Sequence, residues 1–168
     1  MRIIDSIIME FDQEAVSTEK LLSRVPSEKL GWKPHEKSMS LGELAYHIAT
    51  TPAFMAKMAA PDTFDFATDG PKDRTPPGST AEILKAFHES IAAAKDQMQQ
   101  YDDGRVMSNW TMLLAGKTIM TIPRIVIFRS FLLNHLYHHR GQLTVYLRMN
   151  GVSLPAIYGP SADDNPFM

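Results

Sequence analysis

The sequence predicts an all-α protein: a four-helix bundle with a long crossover between its second and third helices and a small β-hairpin ahead of the fourth. Three observations lead there. Apolar residues recur at helical spacing over four long stretches, serines three residues ahead of glutamates mark two helix starts, and prolines and glycines gather in one long intervening segment. The 168 residues, 44% hydrophobic and 21% charged, suit a single domain over 1–168 that buries its own core.

Ile4, Ile7, Ile8, Phe11, Ala15, Thr18, Leu22 and Val25 share one helical face, with Asp5, Glu10, Asp12, Glu14, Glu19 and Lys20 between them. That amphipathic first helix should end near Arg24, before Pro26. The loop "SEKLGWKPHEKSMS" follows, interrupted by Gly31 and Pro34. Ser40 and Glu43 have capping-box spacing, so the second helix should start at Leu41. Its apolar face is Leu41, Leu44, Ala45, Ile48, Pro52, Met55 and Met58, and it should run to Ala59 with a bend at Pro52.

From Ala60 to Gly78 the chain collects Pro61, Gly70, Pro71, Pro76, Pro77 and Gly78, a crossover long enough to return along the bundle. Ser79 and Glu82 repeat the box spacing, and Ile83, Leu84, Phe87, Ile91, Ala94, Met98 and Tyr101 form the seam of a third helix that should end near Asp102 to Gly104. "WTMLL" and "TIMTI" flank a turn at "AGK", the expected hairpin between Trp110 and Ile122. Pro123 suits the first turn of a fourth helix that runs from Arg124 to Asn150, is apolar on most sides, and stops at Gly151. Such a helix belongs at the centre of a bundle or under a subunit interface. The tail "VSLPAIYGPSADDNPFM" should lie extended over the surface.

Composition excludes several function classes. Seventeen basic against nineteen acidic residues leave a formal charge of -2, without a basic stripe for nucleic acid. The absence of cysteine removes disulfides, thiolate ligands and a cysteine nucleophile. "MRIIDSIIMEFDQE" does not read as a signal peptide, and no apolar run approaches the length of a membrane span. The expectation is a soluble cytoplasmic protein with a small-molecule partner.

Three of the six histidines fall within "NHLYHHRGQL". Residues four apart on a helix stand on one face, so His135 and His139 can aim two imidazoles at one point, while His138 points elsewhere. A catalytic metal is commonly held by three protein ligands with one position open. The best third donor is His47, at the edge of the second helix's apolar stripe. His35, in a loop, and His88, on the polar side of the third helix, are weaker. The alternative is that His135 and His139 are buried histidines bonded to backbone carbonyls or to Tyr46, Tyr137 or Tyr146. Leu136 follows His135 where a zincin would carry Glu, and paired E-x-x-H motifs are missing, so a mononuclear histidine site is the metal arrangement that remains.

"SMSLGELAYHIA", with His47, and "NHLYHHRGQLTVYLRMNGVSLPAIYG", with "HHRGQL", "YLR" and the later "P" and "YG" in order, resemble the DinB-like (damage-inducible, YfiT-like) family. Trp32 in "LGWKP" fits the same pattern. The resemblance covers nearly the whole chain. It implies a four-helix bundle, often a homodimer, with a divalent ion, zinc or nickel, on three histidines that map to His47, His135 and His139.

It also implies a choice of activities. The ion could hold a low-molecular-weight thiol as thiolate and present it to an electrophile, or it could activate water for hydrolysis. Thiol transfer is preferred, because no clear carboxylate accompanies the ligands as a general base. Glu43, one turn before His47, is explained by capping. The third reading is a non-catalytic metal-binding stress-response protein. Asn134, Gln142 and Tyr46 could orient ligands or satisfy local backbone groups. Arg140 and Arg148 could hold an anionic thiol, though packing or salt bridges explain them equally.

Overall fold

The computed structural model describes residues 1–70, 75 and 77–167. The first helix, α1 (Ile3–Leu22), begins where the Asp5 carboxylate accepts the Arg2 backbone N–H at 2.7 Å, and it buries Ile4, Ile7, Phe11, Thr18, Leu21 and Leu22. The second, α2 (Leu41–Ala59), opens on the reciprocal pair expected from the sequence: Ser40 Oγ accepts the Glu43 N–H at 3.1 Å, and the Glu43 carboxylate accepts the Ser40 N–H. Pro52 lies inside α2. Beside it, the Ala53 N–H donates to Ser90 Oγ of a neighbouring helix at 2.9 Å, so a buried side chain satisfies the backbone next to the helix breaker.

That neighbour is α4 (Thr80–Gln99), which turns Ile83, Phe87, Ser90, Ala94 and Met98 inward and packs against α2 and α1. Ser79 caps it through the Glu82 N–H, while the Glu82 carboxylate takes the N–H of Gly78 rather than that of Ser79. Asp102 does not end this helix. It accepts the Arg105 N–H and starts a further short helix, α5 (Asp103–Met107).

The molecule is mostly helical, and the all-α expectation needs one correction: it carries a three-stranded sheet in the order β1-β2-β3. β2 (Asn109–Leu114) and β3 (Lys117–Pro123) pair antiparallel with Trp110 opposite Ile122, and β1 (Thr63–Asp65) adds to β2 in parallel. Ala115 and Gly116 make the connecting turn, both at positive φ (50° and 77°). Asp65 holds it, accepting the N–H groups of Ala115 and Gly116 at 2.9 and 2.7 Å. β1 and the four-residue helix α3 (Phe66–Asp69) lie within the expected crossover, of which Pro71 and Pro76 fall outside the described residues. Three residues are too few to show strand alternation, so β1 has no local signature.

Pro123 ends β3 rather than opening a helix. The last long helical segment is wound as a π-helix over Ile127–Asn134 and continues as α6 (His135–Met149), closed by Gly151 at φ 74°. The tail does not simply lie extended. The Leu154 and Ala156 N–H groups donate to the Asp163 and Asp164 carboxylates, folding the segment back on itself.

Among the described residues, two apolar clusters fill the interior. One gathers Ile4, Phe11, Met58, Trp110, Phe128 and Leu132 at the sheet end; the other gathers Leu22, Leu44, Ile48, Phe87, Leu136 and Leu143. A buried guanidinium ties the sheet end together. Arg124, fully buried, donates to the carbonyls of Ala59 (2.8 Å), Pro61 (3.1 Å) and Arg105 (3.1 Å), to Ser108 Oγ and to the Asp62 carboxylate (2.6 Å). It therefore joins the end of α2, α5 and the start of the last helix. Arg124→Met would leave several carbonyls unpaired in the interior and is expected to cost about 3 kcal/mol in urea unfolding, while Lys117→Met on the exposed strand should cost less than about 0.5 kcal/mol.

Candidate metal centre

His47 stands on α2 between the buried Leu44 and Ile48, and the packing of α2 against α6 aims it at the other helix. His135 is the first residue of α6 and His139 follows one turn later. The structure brings these three together: one ring nitrogen from each lies within 4.8 Å of the others. His47 Nε2 and His135 Nε2 are 2.9 Å apart, and the ring centroids of the three pairs lie 4.4 to 5.1 Å from one another. His139 is buried, and its Nδ1 lies 2.7 Å from Gln142 Oε1.

Burial, and then the neighbouring His139 and His138, push the His135 pKa down to about 4. Burial also lowers that of His139, partly offset by the bond to Gln142. Both rings are therefore held neutral near pH 7, the form that carries a ligating lone pair. The donor set fits a divalent ion. Imidazole nitrogens at about 2.0–2.1 Å from a tetrahedral ion stand about 3.3 Å apart, so small ring rotations would bring these three onto one ion.

The other histidines are not part of this cluster, although the His138 ring lies 4.9 Å from that of His139. His35 Nδ1 accepts the Lys37 N–H in an exposed loop, His88 pairs with Glu19 at 2.9 Å, and His138 is exposed on α6. Arg140 and Arg148 have structural partners. Arg140 is buried against Glu14 (2.5 Å) and Tyr158, with Thr18 Oγ1 at 3.2 Å, and Arg148 pairs with Asp163 at 2.5 Å. Tyr137 donates to Glu10 Oε1 at 2.6 Å rather than to a histidine. Glu43 takes its capping role and also pairs with Lys33 at 3.5 Å.

The π-wound segment is what sequence reasoning missed. Ile127 and Phe128 are fully buried, and so are Leu132 and Leu133, five residues on. At about 100° per residue an α-helix would carry a five-residue step about 140° off the core face, whereas i→i+5 winding returns it to the same side. The segment thus absorbs one extra residue directly before His135, and Leu136, His139, Leu143 and Leu147 still turn inward. The only sequence signal was that the stretch looked apolar on most sides, because its stripe changes phase midway. Deleting Ser130 converts the five-residue spacing to four and should cost the metal-free protein about 1 kcal/mol or less in urea unfolding. Deleting Val145, within regular α-helix, should cost several times more.

Comparison with known proteins identifies the family of the chain. The family model described as "DinB family" matches residues 4–165. An uncharacterized protein, YrdA of Bacillus subtilis (strain 168), is 25% identical over 96% of this chain and 91% of its own length. A DinB-like protein from Bacillus cereus ATCC 10987 superposes with a TM-score of 0.71 at 23% identity, over 92% of this chain and 97% of that one. A second, YjoA of Bacillus subtilis, does so with a TM-score of 0.67 at 20% identity, over 87% and 92%. These two structures share its fold. With both its length and its architecture matched, the chain belongs to the DinB family.

Proposed function

We propose that this protein is a metal-dependent enzyme that transfers a low-molecular-weight thiol to an electrophilic small molecule, with His47, His135 and His139 as the metal ligands. The observation that carries the reading is the meeting of three imidazole nitrogens within 4.8 Å from two different helices. A divalent ion held there, zinc or nickel, supplies positive charge that lowers the pKa of a sulfhydryl or water reaching it.

The protein's own part is to hold three imidazole donors in place. Burial keeps His135 and His139 unprotonated, and the α2–α6 packing fixes their distance from His47. In the transfer, the thiol gives its proton to solvent, its sulfur forms a bond to the electrophilic carbon, and the bond from that carbon to halogen or epoxide oxygen breaks. The electron pair leaves with the halide or stays on the tethered oxygen, which takes up a proton from solvent. The described ligand cluster contains no carboxylate to take a proton, which supports thiol transfer over hydrolysis, since a thiol is far more acidic than water and ionises more readily beside a cation. Arg140 and Arg148 are engaged by Glu14 and Asp163, so they are not assigned to thiol binding.

Elemental analysis of untagged protein should find about one divalent ion per chain. His135→Ala should lose it while the far-ultraviolet circular dichroism stays helical; an unchanged ion content in that variant would remove the site. Loaded protein incubated with a panel of small thiols and a halogenated or epoxide electrophile should consume both in equal amounts. Turnover of an ester or amide without any thiol would assign water activation instead, and a bound ion with neither reaction would assign a non-catalytic role.

A further inference from the structure

We infer that Gln142 is the positioning residue of the centre, fixing the proton of His139 on Nδ1 so that its Nε2 lone pair faces His47 and His135. The inference rests on the metal reading of the three histidines but concerns a residue outside that set. His139 Nδ1 lies 2.7 Å from Gln142 Oε1, and a carbonyl oxygen can only accept, so this nitrogen carries the hydrogen. A neutral imidazole with its proton on one nitrogen has its lone pair on the other, which leaves Nε2 as the ligand atom.

The amide's orientation decides this. Turned over, its NH2 would donate to Nδ1, place the proton on Nε2 and close the face that the three histidines share. The two residues are three apart on α6, so the helix itself sets their separation. Gln142 is exposed while His139 is buried, so the contact is made at the outer edge of the site by a side chain that adds nothing to the core. Its loss should therefore act on the ion without acting on the fold. Ligand histidines elsewhere commonly give their second nitrogen to a carboxylate, a carbonyl or water, with losses of 10- to 100-fold in affinity when that partner is removed, and a carboxamide oxygen serves the same purpose here.

The test compares wild type with Gln142→Leu and Gln142→Glu. Zinc affinity, measured by competition with a chromophoric chelator, should fall about tenfold or more in the leucine variant. It should return to wild-type strength or better with glutamate, whose carboxylate also accepts from Nδ1–H. The melting temperature of the metal-free protein should stay unchanged in both.

Long-range ¹⁵N correlation spectra of the metal-free protein provide a readout independent of any ion. His139 should show the Nδ1–H form in wild type and a mixture of tautomers in Gln142→Leu. Wild-type zinc affinity in the leucine variant, no recovery with glutamate, or an unaltered His139 tautomer would each overturn the inference. If wild type itself takes up no zinc, the metal reading fails and the tautomer comparison alone decides the role of Gln142.

Discussion

The contact between α2 and the last helix is the constraint on which the candidate site depends. His47 is on one and His135 and His139 are on the other, and no segment joins these positions closely in sequence. Their relative placement is set by apolar packing: Leu44, Ala45 and Ile48 share one cluster with Leu136, Leu143 and Leu147. Each of the leucine and isoleucine side chains is worth about 2–3 kcal/mol when buried. Together they hold three polar rings at a spacing that the rings would not keep by themselves. A rotation of either helix by one residue would carry a histidine about 100° away from the others.

Both histidine-bearing helices carry a local irregularity near the site, a proline in α2 and a π-wound turn ahead of α6, and each is accommodated elsewhere in the structure. Pro52 interrupts α2 five residues after His47, and Ser90 of α4 satisfies the adjacent N–H. The π-wound segment precedes His135 and keeps two stretches of core residues on one side. Irregular helix next to a functional group is a recurring arrangement, since it corrects a side chain's direction without a loop. At the far side of α6, Arg140 joins Glu14 of α1 and Tyr158 of the tail, so the helix is anchored on the face away from His47 as well.

Much of this was legible in the sequence because it depends on local spacing. The Ser40–Glu43 pair located the start of α2, and the four-residue step from His135 to His139 placed both rings on one face. His47 was the nominee because it bordered an apolar stripe that had to be buried. The unread features depend on contacts distant in sequence. β1 is recognisable only beside β2, some fifty positions later. The buried role of Arg124 rests on carbonyls that α2 and α5 bring to it. The π winding shows only as a five-residue gap between buried pairs, which sequence alone reads as a helix apolar all round. Asp102, taken as an ending, caps the next helix, since the same residue type serves either purpose.

The central claim is that imidazoles from α2 and α6 share one ion. X-ray absorption spectroscopy of the zinc-loaded protein tests it most directly, because multiple scattering from imidazole rings counts histidine ligands. The account predicts three imidazole nitrogens at about 2.0–2.1 Å, with the remaining ligand exchanged for sulfur when a small thiol is added. A first shell with two or fewer imidazoles would contradict it.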